Sequence, residues 1–377
     1  MTRVYQYIMK KRILVITQCF ACGSWLSIEK ITNILSDNKH ALKILGYGSL
    51  HVKRSDQIYS IIPFIAYNRY GYLTCYGPMF VFLWNIPIFI VSLFQILLFR
   101  PNVIIYNGFG LGLILSPVSK IFGIKNIIMY HSTIRDVGIK TKNILKKLIN
   151  YVDMIVVNSE GSRMDIIDVT PNNKIVTNHH FASDIFFNNK KRSPKPHDNL
   201  NILYVGRIDK DKLCFPLIDF AKKTKSSNKF HFTFVGAGSE VNHITHLAKI
   251  FNNIDYLGYI SDTCHLSKLY READVLWTFA DTTYLALPAI EALASGTPII
   301  VPEYAAITGR KEKINRKLVP TEIGWSIDPY NEEKVSQLLE RIRSGREYRN
   351  KKCKEYAEKF YQLLPYSHWS ALFQRNE

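Results

Sequence analysis

The sequence predicts an α/β protein with two Rossmann-like doubly wound domains, each carrying a parallel sheet, facing a central cleft. Three observations lead there. Eight short apolar runs recur along the chain, separated by stretches long enough for helices. They fall into two groups of four, divided by NNKKRSPKPHDN (188–199), which is rich in charge and proline and has no apolar periodicity. A length of 377 residues exceeds one ordinary core and suits two.

RILVIT (12–17) is a continuous apolar run bounded by polar residues, as expected of a parallel strand buried on both faces. NVIIY (102–106), KNIIMYH (125–131) and DMIVVNS (153–159) repeat that form. In the second half NILYVG (201–206), FHFTFVG (230–236), ADVLWTF (273–279) and TPIIVP (297–302) do the same. The boundaries predicted are an N-terminal domain over 1–187, a linker over 188–199 and a C-terminal domain over 200–354. From about Asn331 the chain reads as helices, with Trp369 and Phe373 four apart on one face. The last helical stretch, 355–377, is expected to pack back on the N-terminal domain.

The net charge of +18 is uneven. Residues 1–150 carry 18 Lys/Arg against 4 Asp/Glu, whereas 151–377 carry 31 against 27. A basic N-terminal surface attracts polyanions, including anionic lipid headgroups and phosphorylated substrates. Zinc-finger spacing, an aromatic-basic RNA signature and a recognition-helix pattern are all missing, so nucleic acid is not read as a partner. The six cysteines are scattered rather than framed for disulfides, and the N-terminal stretch lacks the apolar core of a secretory signal. A reducing, cytoplasmic setting follows. Cys19-x-x-Cys22 has no second pair to complete a metal site.

MFVFLWNIPIFIVSLFQILLF (79–99) is 21 residues without a charge, long enough to cross a bilayer. Asn85, Pro87, Ser92 and Gln95 interrupt it, and a spanning helix would part the first strand from its sheet partners. Three placements stay open: a span, a buried core helix, or a helix dipping into the membrane interface. The basic charge of the same domain favours the last.

In open α/β sheets ligands bind beyond the carboxyl ends of the strands, so the residues after each apolar run are the informative ones. Gly206 and Arg207 follow one run, and Lys212 stands five residues further on. Two cations from one strand-end loop suit a diphosphate, and Gly206 lets backbone approach it closely. Asp209 and Asp211 in that loop spell D-x-D, but the interleaved lysines favour an exposed charged loop over a metal pair. GAGSE (236–240), with Gly236 and Gly238, opens a helix whose amides could receive a phosphate, although such turns are also glycine-rich for steric reasons. In DTTYLALPAIEALASGTP (281–298), Pro288, just after Leu287, suits the first position of a helix and Gly296 suits its end, which puts Glu291 in the first turn. A carboxylate there can accept both hydroxyls of a ribose.

The order VGRIDKDK, VGAGSE, YLGYIS, LYREADVLW and LPAIEALASGTPIIVPE resembles the donor-binding half of glycosyltransferase family 4, retaining enzymes of GT-B fold. PNVIIYN, NIIMYHS and VDMIVVNSEGSR carry the resemblance more faintly through the first half. It implies a nucleotide-sugar co-substrate, with a UDP- or GDP-sugar as donor, and a metal-independent reaction without a further cofactor. Arg207 and Lys212 match the family's diphosphate-binding pair, and Glu291 matches the second glutamate of its Glu-x7-Glu motif, which binds the ribose. The first glutamate is replaced by Thr283, and the glycine-phenylalanine-glycine of relatives by Tyr284-Leu285-Ala286. Threonine offers a hydroxyl but no charge. His131 matches a histidine that lies near the donor sugar, and Gly23 and Ser24 stand where relatives carry a glycine-containing loop facing donor and acceptor. Basic charge and the 79–99 stretch together point to a glycan, glycolipid or lipid-phosphate-linked acceptor at the inner face of a membrane. A nucleotide-sugar epimerase and a non-catalytic nucleotide-sugar-binding scaffold are the rival readings.

Overall fold

The computed structural model describes residues 10–17, 23–47, 58–61, 77–131, 139–188, 199–209, 214–278, 285–303, 319–345, 350–362 and 366–374. The chain folds as two compact units, Met1–Asn178 with Leu364–Glu377, and His179–Leu363.

The first unit holds strands β1 (Arg12–Thr17), β2 (Ala41–Tyr47), β3 (Ile58–Ile61), β4 (Val103–Asn107), β5 (Lys125–Tyr130), β6 (Met154–Val157) and β7 (Ile175–Thr177). Among the described residues they form a parallel sheet in the order β3-β2-β1-β4-β5-β6-β7. The strand order reverses direction beside β1, as in doubly wound sheets. Its helices are α1 (Gly23–Asp37), α2 (Gly77–Phe99), α3 (Phe109–Ile121), α4 (Ile139–Ile149) and α5 (Glu160–Ile166). Ser159 caps α5 by accepting the amide of Ser162 at 2.9 Å, with Glu160 in the first turn.

The stretch 79–99 lies in α2, and its buried positions Ile88, Ser92 and Ile96 recur every four residues. Ile88 and Ile96 join the sheet core. Ile90, Phe94, Leu97 and Leu98 on the same helix stay exposed. The helix is therefore packed on the sheet along one stripe, with Phe89, Val91 and Phe99 partly buried against the same core, while these four apolar side chains face outward. Among the described residues no helix is long and apolar enough to cross a membrane.

The second unit begins with α6 (Asp184–Phe187) and holds β8 (Leu200–Val205), β9 (Phe230–Val235), β10 (Ile254–Tyr256), β11 (Val275–Trp277), β12 (Ile299–Pro302) and β13 (Gly324–Ile327). These form a parallel sheet in the order β10-β9-β8-β11-β12-β13. Around it lie α7 (Cys214–Lys223), α8 (Val241–Ile250), α9 (Thr263–Glu272), α10 (Leu287–Ala294), α11 (Glu332–Gly345) and α12 (Asn350–Phe360); α13 (Tyr366–Gln374) belongs to the first unit.

Two features of this division differ from the sequence reading. Phe186 of α6 is buried in the core of the second unit, against Tyr270, so the stretch after Asn178 belongs there rather than with 1–178. Likewise Cys353 and Ala357 of α12 pack into that core, and only Leu364–Glu377 returns to the first unit. On α13 the pair Trp369 and Phe373 is buried. His40 meets Tyr366 there at 2.6 Å, tying the last helix beside β2.

Candidate functional site

β8 and β9 run side by side, and the loops that leave their carboxyl ends pack backbone against backbone. Gly206 donates its amide to Val235 at 3.0 Å, Ile208 to Ala237 at 3.0 Å, and Glu240 to the Ile208 carbonyl at 3.0 Å. This closeness explains the glycines. A Cβ on Gly236, whose φ is +146°, would stand 1.8 Å from the Gly206 carbonyl oxygen, and one on Gly238 would stand 2.2 Å from that of Ile208. The steric reading of GAGSE therefore holds at both positions.

Arg207 projects from this platform, its side chain 37% exposed, and its guanidinium meets the Asp209 carboxylate at 2.7 Å. Asp209 is buried, and its other oxygen accepts the Ser239 amide at 2.7 Å and the Ser239 hydroxyl at 3.0 Å. The exposed charged loop expected around D-x-D is thus corrected at its first aspartate. Asp209 faces inward, ties the β8 loop to the end of the β9 loop just before α8, and fixes the angle of Arg207. The hydroxyl of fully buried Tyr204 steadies the same turn by donating to the Arg207 carbonyl at 2.7 Å. Cys214, at the start of α7, is buried and its thiol is pushed up to about 12 by desolvation, so it stays protonated.

Glu291 lies in α10, whose first residue is Leu287, with Pro288 in the opening turn and Gly296 (φ +83°) just past the end. The helix ends in a reverse turn in which Thr297 and Gly296 donate to the carbonyls of Ala292 and Leu293, the arrangement a left-handed glycine permits. Because the helix begins at Leu287, Glu291 falls beyond the first turn, which corrects the placement predicted from Pro288. Its partner comes from elsewhere: the Tyr270 hydroxyl of α9 donates to Oε2 of Glu291 at 3.1 Å. Burial, and then the negative charge of Glu291, push the Tyr270 phenol well above its ordinary value, so it remains a donor at any working pH. Ser239 and Tyr270 were not singled out from the sequence, and Asp209 was read there only as part of an exposed charged loop. Tyr270 sits in the quoted LYREADVLW, but its pairing with a residue 21 positions on is set only by the packing of α9 on α10.

The structure brings Gly206, Arg207, Gly236 and Gly238 together, and sets Glu291 in the helix that follows β11, the other neighbour of β8. Lys212 and Thr283 lie outside the described residues. In the first unit His131 stands at the carboxyl end of β5; its ring nitrogens are buried, and desolvation lowers its pKa to about 4. It is a neutral imidazole at pH 7. Gly23 and Ser24 are the first two residues of α1, the helix after β1. Among the described residues no cluster of three metal-ligating side chains occurs.

Comparison with known proteins follows the same division. Residues 186–360 match the family model described as glycosyl transferases group 1. No curated protein sequence matches the chain. A glycosyltransferase from Rickettsia africae superimposes with a TM-score of 0.73 at 16% identity, covering 98% of this chain and 100% of that one. Sucrose-phosphate synthase from Thermosynechococcus elongatus gives 0.70 at 16%, covering 97% of each. The Anabaena protein HepE, solved with UDP-glucose, gives 0.66 at 13%, covering 97% and 100%. The chain therefore has the GT-B type of fold, and its second unit carries the match to the glycosyl transferases group 1 family.

Proposed function

We propose that this protein is a retaining hexosyltransferase. It takes a nucleotide sugar in the second unit and delivers the sugar to a glycan, glycolipid or lipid-phosphate-linked acceptor held by the first, at the cytoplasmic face of a membrane. The observation that carries the reading is the fixed cation at the end of β8, Arg207 held by buried Asp209, which Ser239 holds in turn. Negative charge grows on the diphosphate as the glycosidic bond breaks, and a pre-oriented guanidinium stabilises it without reorganising. Lys212 supplies the second cation. The Glu291 carboxylate, oriented by Tyr270, accepts the ribose hydroxyls, and neutral His131 hydrogen-bonds a hydroxyl of the sugar. Arg207 and Lys212 together do the work that a divalent metal does elsewhere, so the reaction needs none.

Calorimetric titration with UDP, GDP, ADP and their sugar conjugates tests this, with the uridine compounds first because HepE was solved with UDP-glucose. Saturable binding of one base that is lost in Glu291→Ala is expected. Arg207→Ala should lower turnover on the order of 100-fold. Binding without any sugar transfer would favour the scaffold reading, which Thr283 in place of a glutamate motivates. Donor conversion without an acceptor would point to an epimerase.

A further inference from the structure

A cavity of about 900 Å³ opens at the amino-terminal edge of the first unit's sheet, where β1, β4 and β5 begin. Six cations line it: Lys10, Lys11, Arg12, Arg100, Lys120 and Lys125. Its one carboxylate, Asp153, is already engaged by Lys120 at 2.7 Å and by the Asn126 amide at 2.9 Å. Asn102 fixes the backbone beneath, accepting the Arg12 amide at 2.8 Å. Arg100 holds a left-handed conformation (φ +46°) at the turn after α2, a place that favours glycine, yet the chain keeps a cation there.

The walls are apolar. Leu97 of α2 and Phe122 after α3 line the cavity, and both are more than half exposed. Beside them in sequence stand Leu98, 75% exposed, and Ile121, 81% exposed. Large apolar side chains left this open next to a concentration of one charge need an occupant with both characters. A soluble phosphate or a nucleic acid satisfies the cations but leaves the rim in water. A phospholipid satisfies both, its phosphoryl group among the cations and its acyl chains over the rim.

We infer that this edge is a binding site for the phosphoryl headgroup of an anionic membrane lipid. The inference rests on the membrane partnership proposed above and gives it an address. That address is at the opposite end of the sheet from His131. A strand of six residues separates the two ends by about 20 Å, so lipid here leaves the sugar-handling end open.

Flotation of the full chain with phosphatidylglycerol vesicles, compared with neutral phosphatidylcholine, tests the site. The wild type should float with the anionic vesicles only. Arg100→Ala combined with Lys120→Ala should weaken partitioning roughly 25-fold, two cations near an anionic surface each contributing about fivefold. Leu98→Ser with Ile121→Ser should weaken it about tenfold while leaving the charge untouched. Unchanged thermal unfolding of both variants shows that they fold, and their UDP titration reads the donor site separately. Flotation of the wild type that neither variant weakens overturns the inference and leaves the transferase reading standing. Loss in the charge variant alone, with millimolar inorganic phosphate displacing the vesicles, also overturns it, because the site is then one for free phosphate. Equal binding to neutral vesicles overturns it as well.

Discussion

The two sheets handle charge in opposite ways. At the carboxyl ends of β8 and β9, Arg207 faces a buried carboxylate, that carboxylate faces two donors of Ser239, and the loops beneath touch through glycine. At the amino-terminal edge of β1, β4 and β5, six cations share one carboxylate, exposed Leu97 and Phe122 line the walls, and exposed Leu98 and Ile121 stand next to them in sequence. The first environment orients a charge, at the expense of freedom in every neighbouring backbone group. The second gathers charge without aiming it. Orientation suits recognition of one diphosphate in one pose, whereas a gathered charge with an apolar border suits adhesion to a surface.

The contrast is sharpest at Gly236. Replacing it by valine places a branched side chain where the Gly206 carbonyl already stands, at a φ that β-branched residues avoid. The loops must separate, breaking the amide bonds that join them. Gly236→Val should destabilise the protein by about 3 kcal/mol or more and abolish nucleotide binding. Urea unfolding measures the first and calorimetry the second. A loss below about 1 kcal/mol would mean that the loops are not rigidly joined, and the contrast between the two regions would fail.

Tyr270 comes next. Tyr270→Phe removes one donor and no bulk, leaving Glu291 without the phenol that points it. Hydrogen bonds to a charged group contribute about 1.5–3 kcal/mol, so nucleotide affinity should fall on the order of tenfold or more. If Glu291 acts only as a structural residue, the variant should lose stability and keep its affinity. If Glu291 binds the ribose, Tyr270→Phe and Glu291→Ala should also be non-additive, since they act on one contact.

The first unit answers to pH instead. Lys11 donates its amide to Nδ1 of His40 at 3.1 Å, so the neutral ring carries its proton on Nε2 and donates to Tyr366. Burial, with the nearby Lys11 ammonium, lowers the His40 pKa. A depressed histidine pKa means that the folded state binds fewer protons than the unfolded one. Its contribution to stability is thus complete above about pH 6.5, the unfolded value, and is lost as pH falls from there toward the folded value. His131 adds to the same window, down to about 4. Thermal unfolding between pH 8 and pH 5 should show this slope, and His40→Gln should reduce it. A second readout is transfer activity, which should stay flat from pH 8 to about 5 where it depends on neutral His131, and fall only near 4.

Much of this was legible in the chain. All eight runs became strands, most because a strand buried on both faces is apolar throughout and reads as an unbroken run, and β9 because its phenylalanines alternate with half-buried His231 and Thr233. Gly206 and Arg207 could be placed at a strand end from the sequence alone, because they directly follow an apolar run. What stayed hidden were partners brought together by topology: Ser239 reaches Asp209 across 30 residues, and nothing local in either sequence announces the other. The two characters of α2 were half visible. Its spacing of Ile88, Ser92 and Ile96 marks a buried stripe, but apolar residues on the other face concealed which side met the core. The helix start was displaced by a single residue, since proline suits more than one position in a first turn, and that was enough to misplace Glu291 relative to the helix end.

The smallest expected effect returns to glycine, now in the first unit, just past the carboxyl end of β4. Gly110 lies in the first turn of α3, and a Cβ built on it meets nothing within 4 Å. There glycine serves no close approach, and its cost is the entropy of an unfolded chain that alanine would restrict. Gly110→Ala should stabilise the protein by about 0.5 kcal/mol, less than in a helix interior because the first turn frays. Paired with Gly236→Val it makes a two-point test, one residue type changed in the joined loops and in the open helix, with opposite signs of effect. If both destabilise, the crowding at Gly236 is not what sets the two positions apart, and α3 holds its first turn against something that alanine disturbs.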